Sequence, residues 1–201
     1  MLENFKYPVV VQKSKRKTLS LEVKAGKVFV KCDYRVSNQE ILELLQKKEQ
    51  WLDKRLANYD PDSFYLLGQK YQIVRKKGPN DYFLSNNQLF IYGDEKYLID
   101  KIYLDHQDII LNIAEKCLKN FEVQPSKISI KRLKRTLGIC HKDGSISLSL
   151  TLSKYHPDVI SMIVYHELSH LLHFNHSKAF YNCLSRYCPN HRELKQITRE
   201  Y

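Results

Sequence analysis

The first part of the chain alternates short apolar runs with turn residues, a pattern that favours small β-sheets over long helices. Three strands are predicted, over residues 9–12, 18–23 and 28–32. Ala25 and Gly26 are expected to form the turn between the last two. Ser37 and Glu40 form a capping box, which predicts the start of a helix that reaches about Tyr59. Its apolar side consists of Ile41, Leu44, Leu45, Trp51, Leu52 and Leu56.

A second β-rich stretch follows and is expected to complete the N-terminal part of the chain. Its predicted strands cover residues 64–67, 71–75, 82–84 and 88–92. Asn86 and Asn87 mark a turn, because asparagine tolerates the left-handed backbone conformation. A long helix is predicted next, over residues 94–120. We therefore divide the chain into a β-rich region with one helix, residues 1–92, and a C-terminal part, residues 93–201.

The C-terminal part begins with two predicted strands, over residues 126–133 and 145–150, separated by a loop that contains Gly138. In the second strand serine alternates with isoleucine and leucine, which predicts one face in the core and one polar face. We expect this strand to offer an edge on which an extended peptide could add as a further strand.

Three helices are predicted after these strands. The first begins at Pro157, which suits the first helical position, and runs without a glycine to His173. The second runs to about Arg186 and is capped by Ser177. The third follows Asn190, with a glutamate three residues later that would complete a capping box.

The first of these helices carries the sequence His-Glu-Leu-Ser-His, with His166, Glu167 and His170. Residues four apart lie on one face of a helix, so the two imidazoles can bind one metal ion with Glu167 beside it. Catalytic zinc needs three protein ligands and one open position. The pattern therefore predicts a zinc site in which Glu167 takes a proton from a metal-bound water. The alternative is a set of surface and half-buried histidines on an amphipathic helix.

Two further histidines, His173 and His176, compete for the place of the third ligand. His173 lies seven residues after His166, about 10 Å further along a helix, and is poorly placed for the same ion. His176 can reach back if the chain leaves the helix after His173, and Asn175 tolerates the left-handed turn that this requires. We predict His176 as the third ligand and His173 as a residue that supports or packs beside the site.

The composition limits what the chain can be. Its 201 residues suit one or two domains, and 43% hydrophobic and 27% charged residues are typical of globular proteins. No stretch approaches about 18 consecutive apolar residues, so no transmembrane helix is expected. An early acidic residue and the lack of a long apolar core argue against a secretory signal.

The cysteines are scattered along the chain and form no CxxC pair, which predicts reduced, structural thiols in a cytoplasm. They are Cys32, Cys117, Cys140, Cys183 and Cys188.

The formal net charge of +11 favours anionic partners, and nucleic acid is the obvious candidate. The alternative is a lysine-rich protein with a solvated basic face. Two runs are the densest. The N-terminal basic run is Lys13, Lys15, Arg16 and Lys17, and the C-terminal basic run is Lys127, Lys131, Arg132, Lys134 and Arg135.

Several stretches resemble the YgjP-like metallopeptidases, a branch of the zincins related to SprT-like and minimal gluzincin-type proteases. The most specific is the run from His166 to His170, continued by residues 173–180. The weaker likenesses are residues 15–21 to that family's N-terminal strand, 47–51 to the end of its first helix, and 64–71 to the hairpin after it. The resemblance thus runs through most of the chain.

The resemblance implies zinc bound by His166, His170 and His176, with Glu167 as the base. We predict an α+β fold: a β-rich N-terminal region plus a zincin-like catalytic domain whose metal-binding HExxH helix packs on a small antiparallel sheet. In zincins of this shape the substrate usually lies along an edge strand. One departure concerns residues 137–140, Leu-Gly-Ile-Cys, where the family has a Trp-Gly-Ser-Cys-like loop. If that loop shapes the substrate groove, specificity is expected to differ.

The predicted function is a cytoplasmic zinc metallopeptidase that acts on protein or peptide substrates and has no membrane partner. The oxyanion would be held partly by zinc and partly by a second donor, which the sequence does not identify; Tyr165, Tyr181 and His173 are near the motif in sequence only. The rival is a nucleic-acid-associated protein with a structural or vestigial metal site, including SprT-like processing of DNA-bound proteins. Glu167 argues against a purely structural site, which would also need a fourth ligand.

Overall fold

The structure, a computed structural model, describes residues 2, 5–24, 26–57 and 59–198. Its contacts divide the chain into two compact units, Met1–Asp62 and Ser63–Tyr201. Ala25 of the first predicted turn lies outside the described residues, as does part of the N-terminal segment considered as a signal. No helix in the described part is both long enough and apolar enough to cross a membrane.

The first unit is built on a three-stranded sheet, and its three predicted strands are confirmed. They are β1 (Val9–Lys13), β2 (Ser20–Lys24) and β3 (Lys27–Cys32). β3 lies in the centre, parallel to β1 and antiparallel to β2. Every second residue of β3 is buried, so one face of the sheet covers a core: these residues are Val28, Val30 and Cys32.

The single helix predicted after this sheet is in fact two, α1 (Asn38–Lys47) and α2 (Glu49–Leu56). Its capping box is confirmed: the Ser37 hydroxyl accepts the Glu40 N–H, and the Glu40 carboxylate accepts the Ser37 N–H. The break falls at Lys48, whose ψ of 9° is not helical. In one continuous helix, Lys48 and Glu49 would follow Leu45 on the apolar side, but both are exposed. Each of the two shorter helices instead buries two apolar residues of its own. The pairs are Ile41 with Leu45, and Leu52 with Leu56.

The second unit opens with a four-stranded sheet at the predicted positions. Its strands are β4 (Ser63–Leu66), β5 (Gln69–Lys76), β6 (Asp81–Ser85) and β7 (Gln88–Tyr92), in the order β4-β5-β7-β6. β5 and β7 are parallel, and the other neighbours are antiparallel. Asn86 and Asn87, with φ of 47° and 58°, close the β6–β7 hairpin as their residue type predicted.

The long helix predicted over residues 94–120 is also two helices, α3 (Glu95–Asp105) and α4 (Gln107–Asn120). The break lies at His106, whose Nδ1–H donates to the Ile102 carbonyl over 2.7 Å. α3 packs its apolar side on the four-stranded sheet, whereas α4 packs into the core around the later helices. The bend allows one continuous apolar pattern to serve two different cores.

This packing places the unit boundary before β4, whereas the sequence pattern predicted it at residue 92. The core of the four-stranded sheet includes residues from α3 and from the chain after β10. Its members are Phe64, Leu66, Ile73, Leu89, Ile91, Leu98, Ile102, Tyr103 and Leu150. The second β region therefore shares its core with the C-terminal part and not with the first unit.

The third sheet lies beside the candidate site and differs from its prediction. Its strands are β8 (Lys127–Lys131), β9 (Gly138–Cys140) and β10 (Ser145–Ser149), in the order β8-β10-β9. β9 was predicted as a loop, because three residues that include a glycine are too short to show a period. β10 is parallel to β8 and antiparallel to β9, so the sheet is mixed, not antiparallel. The predicted edge strand β10 is central, and the two edge strands are β8 and β9.

The serine side of β10 is not the polar surface that the alternation predicted. Ser147 and Ser149 are 1% and 0% exposed. Their hydroxyls have partners: Ser147 Oγ lies 2.9 Å from His141 Nε2, and Ser149 Oγ lies 2.8 Å from Thr151 Oγ1. A hydrogen-bonded serine can be buried at low cost, so this strand is covered on both faces.

A short 3-10 helix (Leu150–Lys154) leads to the three predicted helices, which are confirmed. They are α5 (Pro157–Leu172), α6 (Lys178–Tyr187) and α7 (His191–Ile197). The capping box predicted at Asn190 is wrong: its side chain makes no cap and instead accepts the Cys188 thiol at 3.4 Å. The core formed by α4, α5, α6 and β10 includes Ile146, Val164 and Leu168. The fold class is mixed α+β, as predicted.

Candidate active site

Helix α5 carries the first two histidines and the glutamate of the motif. Pro157 occupies its first turn, as predicted, and His156 Nδ1 accepts the Asp158 N–H over 3.3 Å. His166 and His170 are one turn apart, with ring centroids separated by 5.0 Å, and both are half-buried. The spacing therefore places both imidazoles on one side of the helix.

His176 meets this pair because the backbone becomes extended at His173, with φ −139° and ψ 96°. Ser177 then caps α6 by accepting a backbone N–H of its first turn. The Nε2 atoms of His176 and His166 lie 3.1 Å apart. The left-handed turn predicted at Asn175 is wrong, because Asn175 does not have a positive φ. The described non-glycine residues with positive φ are Leu67, Asn86 and Asn87.

His173 reaches the site through its backbone. The His170 Nδ1 lies 3.1 Å from the His173 carbonyl oxygen. A carbonyl oxygen can only accept, so Nδ1 carries the proton and Nε2 keeps its lone pair. The ligand atoms of His166, His170 and His176 lie within 4.8 Å of one another, a group that does not include His173.

The three imidazoles rest on the ring of Phe180, which is fully buried. Its centroid lies 4.9, 4.6 and 4.8 Å from those of His166, His170 and His176. The sequence analysis did not identify Phe180 as a site residue. The available signal was its place in the first turn of α6, on the same buried side as Cys183 and Leu184.

Burial favours the neutral form of His166 and His170. It lowers the pKa of His166 to about 3, with smaller contributions from His170 and His176. Burial also lowers the pKa of His170, although its hydrogen bond to the His173 carbonyl acts in the opposite direction. Neutral imidazoles have lone pairs available for a metal ion.

These imidazoles fit a divalent metal ion of the zinc type. Two nitrogen ligands of one tetrahedral zinc, each about 2.0–2.1 Å from the ion, are separated by roughly 3.3 Å. The His166–His176 nitrogen separation is 3.1 Å, and all three ligand atoms lie within 4.8 Å. Small side-chain movements would complete the set, and three ligands leave one position open.

Glu167 lies against the edge strand β9. It is 6% exposed, and the Cys140 N–H donates to its carboxylate. Burial outweighs this hydrogen bond and raises the pKa of Glu167 to about 7. Gly138 permits the close approach, since an added Cβ there would stand 2.6 Å from Glu167 Oε1. The sequence analysis treated Gly138 as a loop residue, although a glycine can also mark a close approach of two chain segments.

A cleft of about 300 Å³ opens over these residues. The β9 side supplies Thr136, Gly138, Ile139 and Cys140, and the helix side supplies His166, Glu167, His170, Phe174 and His176. Ile139 and Phe174 are 36% and 66% exposed, so apolar side chains flank the glutamate at the surface. Residues 138–140 of the segment that departs from the family loop therefore form one wall of the cleft.

Of the three candidates for a second donor, Tyr181 lies beside the imidazoles. Its ring centroid is 6.2 Å from that of His176. Tyr165 packs instead on Tyr187, with ring centroids 5.5 Å apart, and joins the hydrophobic core. His173 approaches the site through its carbonyl oxygen, which accepts and cannot donate.

Among the remaining candidates in the described part of the chain, Cys140 lines the cleft and the others do not. All five cysteines are free thiols, and four of them are buried. Both basic runs are mostly exposed, and each has a member with a local partner. Lys13 Nζ donates to the Val36 carbonyl over 2.8 Å, and Arg132 pairs with Asp100 over 3.1 Å.

Three imidazoles converging beside a buried glutamate, in a mixed α+β fold, are typical of metallopeptidases. A family model for the YgjP-like metallopeptidase domain matches residues 17–201, and the chain belongs to that family. Membership implies a peptidase that acts on peptides or proteins and carries a metal ion. It gives no support to a nucleic-acid partner.

The other comparisons add little. A solved structure, the metallopeptidase zymogen of Pyrococcus abyssi abylysin, is 21% identical, with a TM-score of 0.40. The overlap covers 44% of this chain and 90% of that chain. No curated protein gives a significant match. The assignment therefore rests on the family model.

Proposed function

We propose that this chain is a zinc-dependent peptidase of the HExxHx5H type, with His166, His170 and His176 as ligands and Glu167 as the general base. The observation that carries the proposal is one shared cleft. The three ligand nitrogens lie within 4.8 Å of one another, and the Glu167 carboxylate lines the same cleft of about 300 Å³.

The chemistry divides between the metal and the protein. A bound zinc ion would acidify a water molecule and polarise the scissile carbonyl. Glu167 would take the proton from that water and deliver it to the leaving amine. A pKa near 7 suits both steps, because the carboxyl group then exchanges a proton readily at neutral pH. The Cys140 N–H holds the carboxylate in place during the exchange.

The proposed zincin-like geometry assigns the catalytic role to residues 93–201. Helix α5 lies against β9, and the free side of β9 is the edge on which an extended substrate would add a strand. Part of that edge is already used, since Cys140 donates to Glu167 and the Gly138 carbonyl accepts the Thr136 hydroxyl at 2.6 Å. The substrate would therefore make few backbone hydrogen bonds here and depend more on its side chains.

The rival, a structural metal site in a nucleic-acid-associated protein, is disfavoured by the donor set. A structural zinc site is closed by four ligands. In the described part of the chain, the group of side chains close enough to share an ion contains three. A buried glutamate in the same cleft as such a group is more consistent with a hydrolytic metal site than with a structural one.

Replacing the proposed base tests this function. Glu167→Gln keeps the shape of the side chain and removes its basic oxygen. We expect hydrolysis of an unfolded protein substrate to fall about a hundredfold or more, the scale of general acid–base catalysis. Zinc content, measured by elemental analysis, should stay at one ion per chain.

Glu115→Gln is the matched control, because Glu115 is exposed on α4 and lies outside the cleft. A Glu167→Gln protein as active as wild type would exclude Glu167 as the base. A wild-type protein that binds zinc and cleaves no protein substrate would favour the alternative, a nucleic-acid-associated protein with a structural metal site.

A further inference from the structure

A second cavity, of about 280 Å³, lies beside α7. Its walls are Tyr181 of α6 with His191, Arg192, Lys195 and Gln196 of α7. None of these residues is acidic, and two carry a permanent positive charge at neutral pH. The sequence predicted no functional site at any residue of α7.

Arg192 and Lys195 are free to bind an anion. Both are exposed, and in the described part of the chain neither side chain has a carboxylate partner. Elsewhere in the second unit, exposed cations do pair, as Arg75 does with Glu95 and Arg186 with Glu122. Two unpaired cations that share one cavity attract an anion, because each gains a charge-assisted hydrogen bond from it.

His191 adds an unpaired acceptor. It is 4% exposed, and its Nδ1 lies 3.1 Å from the Cys188 carbonyl oxygen, which can only accept. Nδ1 therefore carries the proton, and Nε2 has a lone pair without a hydrogen-bond partner among the described residues. A buried polar atom without a partner costs free energy, and a ligand N–H would recover it only after a side-chain movement that uncovers this nitrogen.

The cavity is a neighbour of the metal-binding histidines. The Tyr181 ring lies 6.2 Å from the ring of His176 on one side and 6.0 Å from the ring of His191 on the other. An extended peptide rises about 3.3 Å per residue. A ligand group in the cavity would thus belong to a residue within roughly four positions of the scissile bond.

We propose that this cavity is a subsite for a carboxylate of the peptide substrate, which Arg192 and Lys195 bind. The inference rests on the proposed peptidase function and names part of its substrate. The carboxylate belongs either to the C-terminus of the substrate or to an acidic side chain near the cleavage point.

Binding of matched peptides separates these sources. Two peptides share one sequence without acidic side chains, and one of them ends in a free carboxylate and the other in a carboxamide. The third peptide ends in a carboxamide and differs from them by one internal glutamate. Each is titrated calorimetrically at low salt into full-length, zinc-loaded protein that carries Glu167→Gln, and mass spectrometry verifies that the peptide stays intact. We expect a peptide with a carboxylate to bind about tenfold more tightly than the plain carboxamide, the scale of one charge-assisted contact.

Charge-neutral variants test whether the cavity is responsible. Arg192→Gln and Lys195→Gln should each remove most of the carboxylate preference. Lys178→Gln should keep it, because Lys178 is an exposed lysine of α6 that does not line the cavity. A preference for the free terminus would indicate trimming from the C-terminus, and a preference for glutamate would indicate an acidic substrate side chain.

Equal binding of all three peptides, or a preference that survives both substitutions, would overturn the subsite. This result is separate from failure of the proposed function. Preferred binding without hydrolysis by the wild type would retain the subsite and reject the peptidase, and hydrolysis without preference would do the reverse.

Discussion

The sheets β1-β3-β2 and β8-β10-β9 have the same strand order, but the candidate site lies beside the second. In both, the third strand is central, parallel to the first and antiparallel to the second. The set β5, β7 and β6 repeats this arrangement once more. Strand order alone therefore does not create the site.

The two sheets differ in their edge strands. β2 has five residues, Ser-Leu-Glu-Val-Lys, and no glycine, whereas β9 has three and begins with Gly138. The missing side chain at Gly138 lets Glu167 approach the strand, where the Cys140 N–H binds its carboxylate. In the described part of the first unit, no comparable group of metal-binding side chains is present. The comparison indicates that the candidate site depends on the close approach of helix α5 to the short edge strand β9.

The largest effect should follow from removing a ligand. His176→Ala leaves two imidazoles, and we expect zinc affinity to fall by more than about a hundredfold, beyond what loss of a supporting residue causes. His173→Ala should keep most of the metal, since His173 contributes its backbone carbonyl. Competition with a chelator measures both affinities. Unchanged zinc affinity in His176→Ala would remove that residue from the ligand set.

Hydrogen exchange can sharpen the same comparison. A ligand that binds only the folded state stabilises the elements that hold it. Zinc should therefore slow exchange in α5 and at the start of α6, and leave β1, β2 and β3 unchanged. Equal slowing of exchange in α5 and in β1, β2 and β3 would mean that the ion is not held where the histidines meet.

A smaller effect is expected from filling the space at the edge strand. Gly138→Ala places a Cβ 2.6 Å from the Glu167 carboxylate, which must move. Activity should fall between about tenfold and a hundredfold, as for displaced catalytic groups. Zinc content should be retained, because the nearest atoms that the added Cβ would meet belong to Glu167 and not to a ligand. Gly78→Ala is the control: its Cβ would meet the side chain of Tyr92 at 3.1 Å, outside the cleft. Full activity in Gly138→Ala would show that the close approach is dispensable.

The smallest effect concerns the basic runs, which follow or include β1 and β8, the matching first strands of the two sheets. If the net charge of +11 serves nucleic acid, replacing Lys131, Arg132, Lys134 and Arg135 by serine should weaken binding more than the same change in the N-terminal basic run. Fluorescence anisotropy should also show a shallower salt dependence. Absence of binding to DNA and RNA at about 50 mM salt would exclude nucleic acid as a partner of the basic runs.

The sequence predicted most elements, because apolar periodicity and caps are local signals. It predicted the helix that carries His166 and His170 and the cap at Ser177, and it selected the three histidines that the structure brings together. It did not predict the break at His106, because this break depends on which core each helix segment faces. It did not predict the break at Lys48 either, where the helices on both sides pack into the same core. A local pattern carries no information about a distant core.

The site shows the same limit. β9 has too few residues to display a period, and the burial of Ser147 depends on a partner six residues away, His141. The contact of Gly138 with Glu167 joins residues far apart in the chain. Phe180 was visible only as one more apolar residue of α6. Features that arise from tertiary proximity were therefore the ones that the sequence analysis missed.

The position of Phe180 has a consequence for how firmly the ion can be held. Each of the three imidazoles loses rotational freedom by packing on this ring during folding. Fixing a mobile side chain at the moment of binding costs about 0.5–1.5 kcal/mol. Because folding has already imposed that restriction three times over, the affinity for the ion is partly determined by an aromatic residue that has no atom able to ligate it.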